Sequence, residues 1–341
     1  MARGLFSMTA ARLLFGIAQA GCYPVLNKVS KNWFPLATRT TAQGWIATFF
    51  GRGGGAVSFL LFGTVMLGWL GLPWRSAIAI FSLLGVGCGV LFFYLFRNTP
   101  HEHAWANDAE VHLISGDDPV PAQASRSVVN WTAMITSVSM WGLLFRCMVS
   151  NMADVVYVNW VPLYLQDEKQ LGQAMVGLLA ALPLIGGALG GLFSGSLQST
   201  LLRRSVDRRW VRSGVGLAGK FLAAICIMLS LAFDNAAVVL SIFLLAKFFT
   251  DWEQPVEWGA VADIAGKNAA TVFACVNTAG ALGGFLASLL IGVVLKSFSV
   301  DNKLTTEGWT VVFLMIAVEY VIAGLTWLFI DTRQTLDQGE A

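Results

Sequence analysis

Charged side chains stand inside long apolar stretches of this sequence, and their chemistry needs an explanation. The residues concerned are Arg12, Arg52, Arg146, Asp154, Lys220, Lys247, Asp251, Glu253 and Glu319. A charge at the centre of a bilayer costs about 2.5–3.5 kcal/mol on the gentlest scales, so such residues usually face a cavity or a partner. Each is therefore a candidate for binding or proton exchange, with a purely structural ion pair as the alternative.

Arg52 combines a fixed positive charge with small neighbours, because Gly51 precedes it and three glycines follow it. At 1.5 Å per residue it lies near mid-membrane, about eleven residues into its helix. Glycines permit close helix packing or leave space beside the guanidinium, which can bind a carboxylate through two hydrogen bonds. Arg52 is thus a candidate ligand for an anion; the alternative is a buried arginine paired with a structural carboxylate or carbonyl groups.

Asp154 belongs to a polar stripe on another apolar segment. Arg146, Ser150 and Asp154 recur at every fourth residue and share one helix face, with Asn151 and Tyr157 as polar flanking residues directed toward a cavity. A buried carboxylate at mid-depth could exchange a proton with solvent. The alternative is a structural ion pair of Asp154 with Arg146 or with an arginine on another helix.

Lys247 and Asp251 are spaced to form an ion pair on one helix face, which predicts a structural role. The residues 251–255 combine two acids with Pro255 and predict a kink that could act as a gating hinge. Glu257 lies closer to the cytoplasmic end and is predicted to be a gate or loop charge. Lys220 is expected to extend toward the inner surface, and Glu319 to pair with a neighbouring helix.

The composition explains why these charges are exceptional. The 341 residues are 56 % hydrophobic and 12 % charged, whereas soluble domains carry roughly 25 % charge. Apolar runs of about 20 residues without alternation predict an all-α polytopic membrane protein. A net charge of +2 argues against nucleic-acid binding. The residues show no enzymatic constellation, and the scattered cysteines indicate neither a disulfide framework nor a metal site; no cofactor is predicted.

Nine membrane spans are predicted: 5–27, 41–69, 75–96, 133–164, 173–198, 213–233, 236–258, 268–295 and 309–330. A polar stretch containing Pro100, Pro119, Pro121 and all the histidines divides them. The predicted organisation is therefore a partial N-terminal bundle of three helices (1–96), a cytoplasmic linker (97–128) and a C-terminal six-helix bundle (129–341).

Lysine and arginine residues are unevenly distributed over the predicted loops, and the richer side is predicted to be cytoplasmic. That side carries Lys28, Lys31, Arg39, Arg97, Arg126, Arg203, Arg204, Arg208, Arg209, Arg212, Lys267 and Arg333. The opposite side carries Arg75, Lys169, Lys296 and Lys303. We expect a multi-pass protein of the plasma (inner) membrane with a cytoplasmic C-terminus.

Several stretches resemble the major facilitator superfamily, in particular its organic anion:cation symporter branch of hexuronate, galactonate, phthalate and sialic-acid carriers. They are Arg12–Gly21 with Trp33-Phe34-Pro35, Gly51–Gly55 with Trp74-Arg75, Trp160–Leu165, and Asp251–Trp258 with Asn277–Gly280. The resemblance covers nearly the whole chain and implies helices four to twelve of a twelve-helix fold, with the first three absent.

The resemblance also suggests roles for three further residues. Arg12 matches an arginine that binds substrate or takes part in coupling in relatives, with extension toward the surface as the alternative. Gln19 stands where many members carry a proton-coupling glutamate; glutamine cannot titrate but can bind a hydroxyl group. Asn277 matches an asparagine that contacts substrate, or it bridges helices. With Gln19 unable to titrate, either another carboxylate carries the proton or the carrier is a uniporter. Asp154 is the predicted coupling carboxylate.

Together these features predict a secondary active transporter of small organic anions that is proton-coupled and works by alternating access. Its partners would be a small carboxylate, a proton and the lipid bilayer, and it would be a monomer. The alternative is a non-transporting, truncated membrane fragment of such a carrier.

Overall fold

The structure is a computed structural model that describes residues 4–35, 42, 44–115, 131–204, 207–265, 268–301, 304–333 and 335–336. Residues 116–128 of the predicted linker lie outside this description. So do four of the basic residues used to predict orientation, namely Arg39, Arg126, Lys267 and Lys303.

The described residues form helices and no β-strand. The helices are α1 Leu5–Gln19, α2 Cys22–Trp33, α3 Trp45–Phe50 continuing through Gly51–Ser58 and Phe59–Trp69, α4 Trp74–Leu95, α5 Asp108–Ser115 and α6 Trp131–Thr136. They continue with α7 Val138–Val155 extended by Val156–Trp160 and Val161–Asp167, α8 Gln173–Arg203, α9 Arg208–Ser230, α10 Ala236–Thr250, α11 Glu253–Ala265, α12 Ala269–Ser297 and α13 Thr306–Thr326. The all-α prediction is confirmed.

Six of the described helices are long and apolar enough to cross a membrane. They correspond to six of the nine predicted spans. The other three spans are interrupted: 5–27 is divided between α1 and α2, 133–164 between α6 and the segments of α7, and 236–258 between α10 and α11. The total of nine spans stays a prediction.

The largest apolar core lies among α7 to α13. Tyr157, Phe243 and Tyr320 are almost fully buried there, and Phe243 meets Tyr157 and Phe313 edge to face. Edge-to-face packing of aromatic rings stabilises a core beyond the area that it buries. The C-terminal helices therefore form one packed body, and the polar stripe of α7 faces its interior.

The first helices are packed much less tightly. α1 has no buried residue, and α4 buries Ala77 alone among its residues. α3 attaches this part to the C-terminal body at close range: Gly63 approaches the backbone of Gly177 on α8, and Thr64 donates a hydrogen bond to the carbonyl of Ala174 at 3.0 Å. Small residues let two helix backbones come this close.

Candidate functional site

Four charged side chains meet where α3 crosses the C-terminal body, and we call them the Arg52 cluster: Arg52, Asp154, Lys247 and Asp251. Arg52 donates from Nη2 to Asp154 at 2.6 Å and from Nε to Asp251 at 2.9 Å. The Lys247 ammonium donates to Asp154 and to Asp251, each at 2.7 Å. Two cations thus alternate with two carboxylates, so the cluster carries no net charge.

Different elements supply the members of the Arg52 cluster. Arg52 comes from α3, Asp154 from α7, Lys247 from α10, and Asp251 from the turn directly after α10. Arg52 and Asp154 each lie two residues from a π-helical segment, Trp45–Phe50 and Val156–Trp160. Such segments are rare and are found frequently at functional sites. The cluster therefore joins an N-terminal helix to three segments of the C-terminal body.

Exposure differs across the Arg52 cluster. The side chains of Lys247 and Asp251 are 0 % and 2 % exposed, whereas those of Asp154 and Arg52 are 14 % and 23 % exposed. A solute that reaches the cluster would consequently meet Arg52 and Asp154 first. Lys247 and Asp251 form the closed side, where water is excluded and charge interactions are strongest.

Neighbouring residues shape the closed side. A Cβ atom at Gly187 on α8 would overlap the Asp251 carboxylate and lie 3.2 Å from Cγ of Lys247, so the absence of a side chain there makes room for this pair. The Lys247 ammonium lies 5.6 Å from the centroid of the Tyr157 ring, within cation–π range. The Tyr320 hydroxyl donates to the Tyr157 hydroxyl at 3.2 Å.

A second group of four charges lies deeper in the C-terminal body, and we call it the Arg146 cluster: Arg146, Lys220, Glu253 and Glu257. Arg146 pairs with Glu253 and, at 2.9 Å, with Glu257. Lys220 pairs with Glu253 at 3.1 Å. All four side chains are at most 8 % exposed. This cluster is also neutral, as burial of charge requires.

The structure decides two sequence-based expectations about these charges. Of the two arginine partners considered for Asp154, Arg146 does not pair with it, whereas an arginine on another helix does: Asp154 contacts Arg52 on α3, and also Lys247. The shared face of α7 therefore supplies residues to two separate clusters. Lys220 does not extend to the surface, because its side chain is 2 % exposed.

The sequence carries a signal for the burial of Lys220. Gly216, Ala223 and Ala224 lie three or four positions from it on α9 and are buried with it. Residues at these spacings share one helix face, so the small residues mark the packed face on which Lys220 lies.

The other predicted residues lie outside the Arg52 cluster, with one exception. Tyr157 packs under Lys247. Arg12 and Gln19 lie on the exposed surface of α1 and Asn277 on the exposed surface of α12. Asn151 donates to the carbonyl of Cys147 on its own helix at 2.9 Å.

The role of Glu257 as a structural or gating charge stays a prediction, and the partner expected for Glu319 is not found in the described residues. Glu257 is 6 % exposed and paired with Arg146, so it is a buried ion-pair partner in this structure. Glu319 on α13 is partly buried, and no ion pair connects it to any residue in the described ranges, so the predicted partner on a neighbouring helix is not found.

The helix ends at the predicted cytoplasmic face carry further ion pairs. Arg212 contacts Asp263 at 2.7 Å. Asp331, just beyond α13, pairs with Arg209 at 3.3 Å and Arg333 at 3.0 Å. The hydrogen bond from Arg333 lowers the pKa of the Asp331 carboxyl. These contacts link the ends of α9, α11 and α13 at the face that the lysine and arginine pattern predicts to be cytoplasmic.

Comparison with known proteins relates this chain to membrane transporters. The profile described as Major Facilitator Superfamily matches residues 1–288. The probable sulfoacetate transporter SauU of Cupriavidus necator is 26 % identical over 97 % of this chain and 74 % of its own length. The probable galactarate/D-glucarate transporter GarP of Escherichia coli K12 is 25 % identical over 94 % and 73 %.

Two further proteins are similar to this chain. The hexuronate transporter of Bacillus subtilis is 24 % identical over 90 % of this chain and 69 % of its own length. A bacterial homologue of the iron transporter ferroportin, solved in its outward-facing state, gives a TM-score of 0.49 at 13 % identity and covers 95 % of this chain and 90 % of that structure.

Proposed function

This chain belongs to the Major Facilitator Superfamily and is a secondary transporter of small organic anions, and we propose that the Arg52 cluster is its anion site. The observation that carries the proposal is the pairing of Arg52 on α3 with Asp154 and Asp251 of the C-terminal body. In these ion pairs two carboxylates of the protein take the place that an anion would have at Arg52. The same ion pairs join the two parts of the molecule.

The proposed substrate is a small sugar acid or a related carboxylate or sulfonate. The relatives are named for transport of sulfoacetate, galactarate, glucarate and hexuronate, all of which carry at least one acidic group. An arginine guanidinium offers several donors in a plane that matches a carboxylate. The substrate would replace Asp154 as the partner of Arg52, because both offer the same two oxygens.

Exchange of partners at Arg52 provides a route from binding to conformational change. When a substrate takes the place of Asp154, the direct ion pair between α3 and α7 is lost, and Arg52 stays linked to the C-terminal body through Asp251 and through the bound anion. Transporters of this type work by rocking one bundle against the other around a central site. Binding and release of the anion would thus alter the contact on which the rocking depends.

Asp154 is the proposed proton-coupling residue. Its carboxylate is more exposed than that of Asp251, at 14 % against 2 %, so it is the one that water can reach. Once Asp154 is displaced from Arg52, Lys247 is the one cation of the Arg52 cluster that still contacts it. Protonation of Asp154 would break that contact too. Proton entry would therefore accompany substitution of Asp154 by the substrate.

The proposal also covers the location of the protein, its oligomeric state and the roles of the other candidate residues. The protein would lie in the plasma membrane of a bacterium as a monomer with its C-terminus in the cytoplasm. Arg12, Gln19, Asn151 and Asn277 are proposed to assist binding at a later stage of the cycle, since none of them contacts the Arg52 cluster here. Arg146 and Glu257 would have a structural role.

Uptake into membrane vesicles tests this function. Vesicles containing the protein would be supplied with radiolabelled galactarate, sulfoacetate or a hexuronate, with and without an inward proton gradient. We expect gradient-driven accumulation of at least one of these anions and its loss in Asp154→Asn. If a protein shown to be inserted in the vesicles accumulates none of them, the proposed function is wrong.

A further inference from the structure

The helix that carries Lys247 ends just before Asp251, the buried carboxylate of the Arg52 cluster. α10 ends at Thr250 and α11 begins at Glu253, so Asp251 and Trp252 form a turn between two helices. The amide of Gln254 donates to the carbonyl of Asp251 at 3.2 Å. The amide of Asp251 still donates to the carbonyl of Lys247 at 3.1 Å, so Asp251 caps α10 at the point where α10 and α11 meet.

Lys220 contacts the residues on either side of this turn. Its ammonium donates to Thr250 Oγ1, at the end of α10, at 2.6 Å. It also pairs with Glu253 Oε2, at the start of α11, at 3.1 Å. A third bond runs to Ser150 Oγ on α7 at 2.5 Å. Through two hydrogen bonds and one ion pair, this buried ammonium group connects both helix ends with the helix that carries Asp154.

The backbone next to Lys220 lies close to the turn between α10 and α11. A Cβ atom at Gly219 would lie 2.5 Å from the carbonyl oxygen of Phe249, so the glycine allows α9 to approach the end of α10 directly. On the other side of the turn, Ser194 Oγ of α8 donates to the carbonyl of Trp252 at 2.6 Å. The turn is held from two helices, and Lys220 is the charged member of that support.

We propose that Lys220 is a positioning residue of the anion site: it fixes the meeting of α10 and α11 and thereby holds Asp251 against Arg52 and Lys247. The inference rests on the proposed function, because it assigns a purpose to the geometry of the same site. Lys220 itself does not contact the substrate.

The competing explanation is that Lys220 merely neutralises Glu253. A charge that only neutralised Glu253 would not need the hydrogen bonds to Thr250 and Ser150. Thr250→Val separates the two explanations, because it removes one link of Lys220 and keeps the charge and nearly the volume. Thr326→Val is the matched control, since Thr326 is 8 % exposed and donates to the carbonyl of Ile322 in its own helix.

Hydrogen–deuterium exchange is the first measurement, and it does not depend on transport. In Thr250→Val we expect faster exchange in residues 248–256 than in the wild type and unchanged exchange in α12. The control Thr326→Val should leave 248–256 as in the wild type. Unchanged exchange at 248–256 in Thr250→Val would overturn the proposal that Lys220 holds the turn.

Anion uptake is the second measurement. For Thr250→Val we expect the KM for the anion to rise about fivefold, the size expected for loss of one buried hydrogen bond, with the maximal rate per inserted protein within about twofold of wild type. A merely structural role would lower the amount of active protein and leave KM unchanged, and that result would overturn the proposal.

A charge-balanced pair of variants gives an independent answer. Lys220→Met alone leaves a buried negative charge and is expected to insert poorly. Lys220→Met combined with Glu253→Gln restores neutrality, so insertion should recover while KM stays raised. Recovery of the wild-type KM would mean that Lys220 acts through its charge alone. Absence of uptake by the wild type would instead overturn the proposed function, and the exchange measurement would still decide whether Lys220 holds the turn.

Discussion

The guanidinium of Arg52 lies 2.6 Å from the carboxylate of Asp154, although the two residues are 102 positions apart in the chain. Arg52 belongs to a loosely packed part of the molecule and Asp154 to its main core. This contact and the neighbouring one to Asp251 are the charged links between the two parts in the described residues. Their replacement by a substrate anion is the central step of the proposed transport cycle, and the following variants probe it.

Removal of the titratable group at Asp154 should uncouple transport from the proton gradient. Asparagine can still accept hydrogen bonds from Arg52 and Lys247 but cannot take up a proton. We expect Asp154→Asn to lose gradient-driven accumulation and to keep exchange of labelled for unlabelled anion across the membrane. The control is Asp234→Asn, at an exposed aspartate outside both clusters, which should behave as wild type. Accumulation by Asp154→Asn at the wild-type level would place the coupling group elsewhere.

Replacement of the arginine fork should weaken anion binding while the positive charge remains. In Arg52→Lys one ammonium group replaces a planar group that contacts two carboxylates from two nitrogen atoms. Loss of a hydrogen bond to a charged group is worth about 1.5–3 kcal/mol, so we expect the KM to rise at least tenfold. The control Arg75→Lys alters an arginine that stacks on Trp74 at 4.4 Å. Equal KM values for Arg52→Lys and wild type would exclude Arg52 as the anion ligand.

A methyl group at Gly187 should disturb the closed side of the Arg52 cluster. The new Cβ would overlap the Asp251 carboxylate, and this carboxylate cannot move aside without losing its contacts with Arg52 and Lys247. Gly187→Ala is therefore expected to lower uptake severalfold. Gly195→Ala is the control on the same helix, because a Cβ there has no heavy atom within 4 Å. Similar uptake rates for the two variants would contradict the packing that we describe.

Charge balance in the Arg52 cluster should govern stability. Lys247 is 0 % exposed, and removal of one partner of a buried ion pair costs about 3–5 kcal/mol. Lys247→Met should lower the melting temperature in detergent, and the addition of Asp251→Asn should restore most of the loss. Lys296→Met, at an exposed lysine at the end of α12, should leave the melting temperature unchanged. A double variant less stable than Lys247→Met would show that charge balance is not the cause.

Local spacing was enough to predict some of these contacts. Lys247 and Asp251 are four positions apart, so their ion pair follows from helix geometry without knowledge of the fold. The all-α membrane class follows from composition, and the candidate role of Arg52 from its place among glycines within an apolar segment. Each of these inferences needs only residues that are close in sequence.

The partners of Asp154 and Lys220 could not be derived in the same way. Asp154 pairs with residues 102 and 93 positions away, and their approach depends on how α3, α7 and α10 pack. Arg146 was a reasonable partner for Asp154 on one helix face, yet Glu253 and Glu257 compete for it from α11. Small residues mark the face of α9 on which Lys220 is buried, but that α10 packs there depends on the fold.

The equal number of positive and negative groups in the Arg52 cluster has an electrical consequence. Because the empty site is neutral, every negative charge of a bound anion that is not accompanied by a proton must be moved against or along the membrane voltage. That work amounts to about 2.3 kcal/mol per elementary charge for each 100 mV. The voltage dependence of uptake would thus show how many protons travel with each anion. A voltage-independent rate would mean that the anion and its protons together carry no net charge.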